Sequence, residues 1–173
     1  MGSAHGGMAS NSETGSGRQH LAFTLNGEIY AIEILQIREI IEFGALTEVP
    51  MMPPTIRGVI NLRGAVVPVI DLSARFGRGP STVARRTCIV IIEVRMEEMS
   101  QTLGVMVDAV NEVMEIPAED VEPAPAFGAR IRTDFIAGMG RVNGRFVIIL
   151  DVARVFSLDE LATLGNVAAE AAA

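Results

Sequence analysis

The chain has 173 residues, 49% of them hydrophobic, enough apolar material for one substantial core or two small, intimately packed ones. Its 14 basic and 21 acidic residues leave a net charge of -7, which argues against nucleic acid or an anionic membrane as the main partner. No apolar run approaches the ~20 residues needed to span a bilayer, the N-terminus lacks a secretory pattern, and Cys88 has no partner for an internal disulfide, so a soluble cytoplasmic protein in a reducing compartment is expected.

Residues 1–19 are rich in Gly and Ser, so a tail without fixed structure is expected there, with the folded part over 20–165 and a frayed end at 166–173. The only histidines, His5 and His20, lie in or beside that tail. Segments 21–25 and 28–32 flank Asn26-Gly27, a strong hairpin signal. Residues 33–36 read as a turn or helical corner, and 37–43 as a strand carrying Glu39 and Glu42 among apolar neighbours. Pro50, Pro53 and Pro54 forbid helix and central-strand pairing in the loop that follows. Two apolar strands over 56–72 then fold back on each other at Arg63-Gly64, where Gly supplies a positive φ without steric cost. A helical turn is expected over 72–76 and a loop over 77–81.

The second half opens with a hairpin of 87–94 and 101–107 across a charged loop at 95–100, with Cys88 read as a small buried hydrophobe. A strand over 110–116 precedes a long loop at 117–132 with one helical turn at 118–121. A further apolar hairpin turns at Asn143-Gly144, and short helices are expected around 151–156 and over 158–164. Ser157 is the expected N-cap of the last helix and Gly165 its stop.

The two hairpins are copies. Ile56, Gly58, Gly64 and Asp71 recur as Ile136, Gly138, Gly144 and Asp151 at an offset of 80, and Phe76 recurs as Phe156. Residues 37–42 match 110–115 at an offset of 73, and 30–32 match 103–105 at the same offset. Two similar halves of short strands predict a mainly β protein of two small barrels.

Two features break local rules. The segment 66–70 is apolar at every position, yet Pro68 removes a ladder donor and suits an edge or bulge; an edge that is apolar on both faces needs a cover, from the other barrel or from a partner. Arg63 occupies a turn position where its counterpart is the favoured Asn143, and departures from local preference mark functional or strained sites. Glu39, on a predicted neighbouring strand, is an available partner for a bidentate pair; the alternative is an ordinary surface arginine.

Catalytic signals are weak. Ser-His-Asp or Cys-His hydrolysis and metal sites built on His and Cys need a histidine within the fold, and only the tail-adjacent His20 is near it. The acidic pairs Glu97-Glu98 and Glu119-Asp120 read as solvated turns, and no phosphate-binding glycine loop is present. Neither an enzyme nor a cofactor is expected.

Residues 23–25 through Tyr30, 37–40, 58–64 and 66–72, with the Asn61-Leu62-Arg63-Gly64 turn at their centre, closely resemble the CheW family of bacterial chemotaxis coupling proteins. Residues 104–108 and 122–125 also resemble it, so the likeness covers about 21–164. The resemblance implies two intertwined SH3-like five-stranded β-barrels with short helices. A first subdomain would take 21–34 plus 145–165, or else 21–80, and a second 81–156. It also implies a non-enzymatic adaptor joining the cytoplasmic tips of methyl-accepting chemoreceptors to the regulatory domain of the histidine kinase CheA, recruited to membrane-associated arrays without inserting into the membrane. By position it assigns Ile37, Glu39, Gly58, Arg63, Val110 and Val113 to receptor binding, and Leu21 and Ile34 to the kinase. Two alternatives stand beside this: a coupler in another CheA-type pathway such as surface motility or development, and a small-ligand binder using the groove between barrels.

Overall fold

The computed structural model describes residues 18–44, 46–125, 131–156 and 158–172. Two sheets form, and the chain passes between them twice. β1 (Arg18–Leu25) and β2 (Glu28–Glu33) begin the first sheet, and a 3₁₀ turn at Ile34–Gln36 carries the chain to the second. The second sheet is built from β3 (Ile37–Glu42), β4 (Ile56–Leu62), β5 (Ala65–Asp71), β6 (Cys88–Met96) and β7 (Met99–Val107). The chain then returns through β8 (Ala109–Ile116), β9 (Val121–Glu122), β10 (Ile136–Val142) and β11 (Arg145–Leu150) to complete the first. The orders are β8-β1-β2-β11-β10-β9 and β3-β6-β7-β5-β4. Single helical turns α1 (Leu72–Arg75) and α2 (Val152–Val155) follow β5 and β11, and α3 (Leu158–Ala172) ends the chain.

Local chemistry sets the hairpins. Asn26, Arg63 and Asn143 hold φ of 55°, 53° and 54°, each followed by a glycine at φ of 79°, 89° and 77°. Both central residues are therefore left-handed, the geometry whose twist matches paired strands. The β6–β7 turn uses Glu97 in the same way, with φ of 53°. The strands there run to Met96 and resume at Met99, so the expected loop at 95–100 shrinks to two residues.

The repeat survives in the register. β5 pairs parallel with β7 through Val69 and Gly104, and β11 with β2 through Ile149 and Ala31, the same pairing after offsets of 80 and 73. Bulges fall between Ile56 and Gly58 in one copy and between Ile136 and Gly138 in the other. Five strands in each sheet are thus equivalent, and the two-residue β9 adds a sixth to the first. The first sheet unites 18–33 with 109–150 and the second takes 37–107, where the expected first subdomain was 21–34 plus 145–165, or else 21–80. The parallel pairs are the reason, since each joins strands that no turn connects.

Three apolar clusters hold this together. Val67, Val69, Ile89, Ile91 and Met106 fill the second barrel, and Ala31, Ile116, Val147 and Ile149 fill the first. The third draws on both sheets and the helices, from Leu21, Phe23 and Tyr30 through Ile70, Leu103 and Leu150 to Leu161 and Leu164. β5 is apolar throughout because Val67 and Val69 face the barrel interior while Ile70 faces the shared layer. It is not an edge, as Pro68 suggested; it lies between β4 and β7, with α3 packed along it.

Other boundaries also moved. Arg18 and Gln19 belong to β1, and His20 is buried there, its Nδ1 donating to the Arg18 carbonyl at 3.0 Å. Residues 1–17 lie outside the described part, as does the expected cap Ser157. α3 does not stop at Gly165 or fray after it, and Val167 is buried. A Cβ on Gly165 would lie 3.0 Å from Gln101 Oε1, so this glycine permits close helix-to-sheet approach. Cys88 is only half-buried. The long loop over 117–132 carries a 3₁₀ turn at Ala118–Asp120 and the short β9.

Candidate functional site

The second sheet runs from β3 to β4 and the first from β8 to β9, so β3 and β8 are equivalent edge strands of the two sheets. β3 alternates: Ile37, Glu39 and Ile41 are half-buried, while Arg38, Ile40 and Glu42 point to solvent. On β8, Val110 is half-buried against the shared core and Val113 is 50% exposed. Val113 is the repeat counterpart of Ile40, itself 42% exposed. Both edges therefore carry an uncovered aliphatic side chain at the same place, where a satisfied surface strand would carry a polar one.

Beside β3 stands the β4–β5 turn. Arg63 reaches across to Glu39 with both terminal nitrogens: Nη2 donates to Oε2 and Nη1 to Oε1 at 3.4 Å. The Arg63 side chain is 74% exposed against 26% for Glu39, so the carboxylate is the anchored partner and the guanidinium remains presented. The hydrogen bond to Glu39, and then its charge, raise the Arg63 pKa above its ordinary value, so the cation is fixed at any physiological pH. Asn61 Oδ1 accepts from Gly64 N at 3.0 Å and closes the turn beneath.

Gly58 sits further down β4, where the preceding loop meets the strand. Its φ is 155°, and a Cβ there would meet the Thr47 carbonyl oxygen at 2.7 Å. Thr47 and Val59 exchange backbone hydrogen bonds of 2.9 Å in both directions. Gly58 thus lets the proline-rich loop lie directly on β4.

Residues 19–160 match the family model described as CheW-like domain. The chain belongs to the CheW-like domain family. The chemotaxis protein CheW of Klebsiella aerogenes is 34% identical over 152 residues, covering 88% of this chain and 89% of that protein. The Bacillus subtilis CheW is 36% identical, covering 80% and 86%. The chain also matches 42% of the chemotaxis protein CheV3 of Helicobacter pylori, at 34% identity. The crystal structure of the scaffolding protein TtCheW from Thermoanaerobacter tengcongensis superposes with a TM-score of 0.74 at 33% identity, covering 83% of this chain and 90% of that one. A two-barrel chemotaxis scaffold fold is what this CheW-like chain shares with them.

Within that frame the sequence-derived residues separate. Glu39 and Arg63 pair at one corner of the second barrel, while Gly58 lies further down β4 beside Thr47. Ile37 and Val110 both rest on the shared core, while Val113 projects from the other barrel's edge. Leu21 is 2% exposed between β2 and β8, so its side chain is part of the core. Ile34 is half-buried in the 3₁₀ turn between sheets, and its neighbour Leu35, absent from the sequence reading, is 90% exposed. Ile40 was also missed, although its place two residues from Arg38 on an alternating strand signals an outward aliphatic.

Proposed function

We propose that this chain is a non-enzymatic coupler that holds chemoreceptor cytoplasmic tips and the regulatory domain of a CheA-type histidine kinase in one assembly. The observation that carries this reading is the corner where Glu39 tethers Arg63 beside β3, whose Ile40 is exposed. A fixed cation near an exposed aliphatic side chain suits a helix that offers both apolar and acidic residues. Ile37, Glu39, Gly58, Arg63, Val110 and Val113 form the receptor side, with Gly58 acting through the loop contact it permits on β4. Ile34 forms the kinase side together with the exposed Leu35. Among the described residues no helix is long and apolar enough to cross a membrane, so recruitment to membrane-associated arrays would run through the receptors.

The small-ligand reading gains no support from the barrel interface. The cavity between barrels, lined by Ile32, Ile92, Val105, Leu150 and Phe156 among others, is about 10 Å³ and apolar, room for at most one water with nothing to bind it.

Affinity capture from lysate with the wild-type chain, Arg63→Ala and Arg63→Asn tests the proposal. Wild type recovers a CheA-type kinase and chemoreceptors; both variants keep the kinase and lose most of the receptor. Asn fits the turn at least as well as Arg, as Asn143 does, so Arg63→Asn isolates the lost cation from any lost fold. Equal receptor recovery in all three overturns the site, and recovery of neither partner by wild type overturns the function. Which CheA-type pathway it serves, swimming, surface motility or development, follows from the identity of the captured receptors.

A further inference from the structure

The repeat makes each barrel a control for the other, and one pair of equivalent faces differs. In the second sheet α3 lies along β5, with Gly165 seated on Gln101 of β7, and Pro68 beneath is buried and Val66 half-buried. The offsets of 80 and 73 place Ile148, Phe146 and Glu28 at the corresponding positions of the first sheet. There the same surface is an open concavity of about 320 Å³ lined by Ile29, Met139, Arg145, Phe146 and Ile148 beside the Gly27-Glu28 turn. Phe146 is 50% exposed, and Met139 and Ile148 are half-buried. Among the described residues nothing packs over this sheet face, shaped like one that takes a helix, and an aromatic ring sits in it.

We propose that this face docks an acidic amphipathic helix of a partner protein. The fold itself shows that a helix fits the equivalent surface. The charge at the rim then selects which helix: Arg141 and Arg145 stand where the second barrel has Asn61 and Ala65, so two cations have been added around the bare face. The Arg141 guanidinium lies 4.9 Å from the Phe146 ring centroid, and its ion pair with Glu122 is long, 3.6 Å. The nearby acid, Glu28, already accepts from Tyr30 Oη at 2.9 Å and from Arg78 Nη1 at 3.2 Å, so it does not cancel them. An aromatic anchor flanked by arginines is the composition of an interface hot spot. The intramolecular precedent has the same polarity, since α3 carries acidic and no basic residues and Glu160 pairs with Arg75. This face lies away from the Glu39–Arg63 corner, and the inference does not depend on the coupling function.

The test uses ¹⁵N-labelled full-length chain titrated with a peptide of the 158–172 sequence, and with a version whose acidic residues are replaced by Lys. The acidic peptide shifts amides of 27–29, 139 and 145–148, and Phe146→Ala or Arg145→Glu weakens binding at least fivefold while the urea midpoint stays at the wild-type value. No shift at millimolar peptide, equal binding of the charge-reversed peptide, or shifts confined to β5 and β7 overturns the proposal. A concentration-dependent dimer in sedimentation that Phe146→Ala abolishes overturns it as well, by assigning the face to a second copy.

Discussion

At φ of 155°, Gly58 sits where a side chain would drive into a carbonyl oxygen rather than into a movable side chain. Gly58→Ala must therefore displace the loop at Thr47 or the strand itself, and overpacking of this kind costs about 2 kcal/mol. Urea unfolding at neutral pH reads that loss, and hydrogen exchange at the Thr47 and Val59 amides, which close the bridge, should accelerate alongside. A Cβ on Gly138 would likewise lie 2.5 Å from Val121 Cγ1 and 3.2 Å from the Glu122 carbonyl oxygen, so the repeated glycine serves close approach in both barrels. The glycine pair and the odd arginine were legible in the sequence because both are exceptions to local preference. The burial of Leu21 was not legible: an apolar residue in an apolar strand looks the same whether it faces a partner or the core.

Among the short elements, α1 is anchored in a way that α2 is not. Asp71 is fully buried and accepts from Arg57 Nη1 at 2.9 Å, from Ser81 N and Oγ at 2.8 Å each, and from Ala74 N at 3.3 Å. Its repeat counterpart Asp151 makes no cap and only a 3.6 Å contact with Arg154. Asp71→Asn removes one charge of a buried pair and should cost about 3 kcal/mol, whereas Asp151→Asn should stay within about 0.5 kcal/mol; parallel denaturant curves compare them. The β6–β7 hairpin gives a pH signature. Glu93 is held below the usual carboxylate range, first by Ser100 Oγ donating at 2.6 Å and then by Arg95. Because the folded pKa is the lower one, this contribution is complete above the unfolded value near 4.5 and is lost as pH falls through the folded pKa. Ser100→Ala should move the Glu93 carboxyl resonance to a higher titration midpoint by NMR. Strands and turns in this part were readable from period and turn chemistry; the run of α3 through Gly165 was not, since packing on Gln101 overrides the local stop signal.

For the molecule as a whole, the shared apolar layer makes the barrels one cooperative unit. Leu161 is fully buried in it although it belongs to the terminal helix. Leu161→Ala should therefore cost about 3 kcal/mol, and the loss should appear in a single transition. Probes in the first barrel (Phe146) and the second (Ile40), monitored separately, should report coincident midpoints; two midpoints would mean that the barrels unfold independently. The repeat foretold two barrels but not which strands each would own. Periodicity tells a strand which face to bury, and says nothing about the non-local neighbour with which it pairs in parallel.

The double passage of the chain has a consequence for synthesis. β1 and β2 leave the ribosome first, yet β2 gains its parallel neighbour β11 only after the whole second barrel and β8 to β10 have been made. At ~5–20 residues per second that is an interval of roughly ten seconds. The second barrel, contiguous from β3 to β7, can complete its own pairing meanwhile. The first hairpin thus waits with its apolar faces unfinished, and β6 and β7 are the earliest surface on which Phe23 and Tyr30 can be buried. In the nascent chain the later barrel becomes the template on which the earlier one closes.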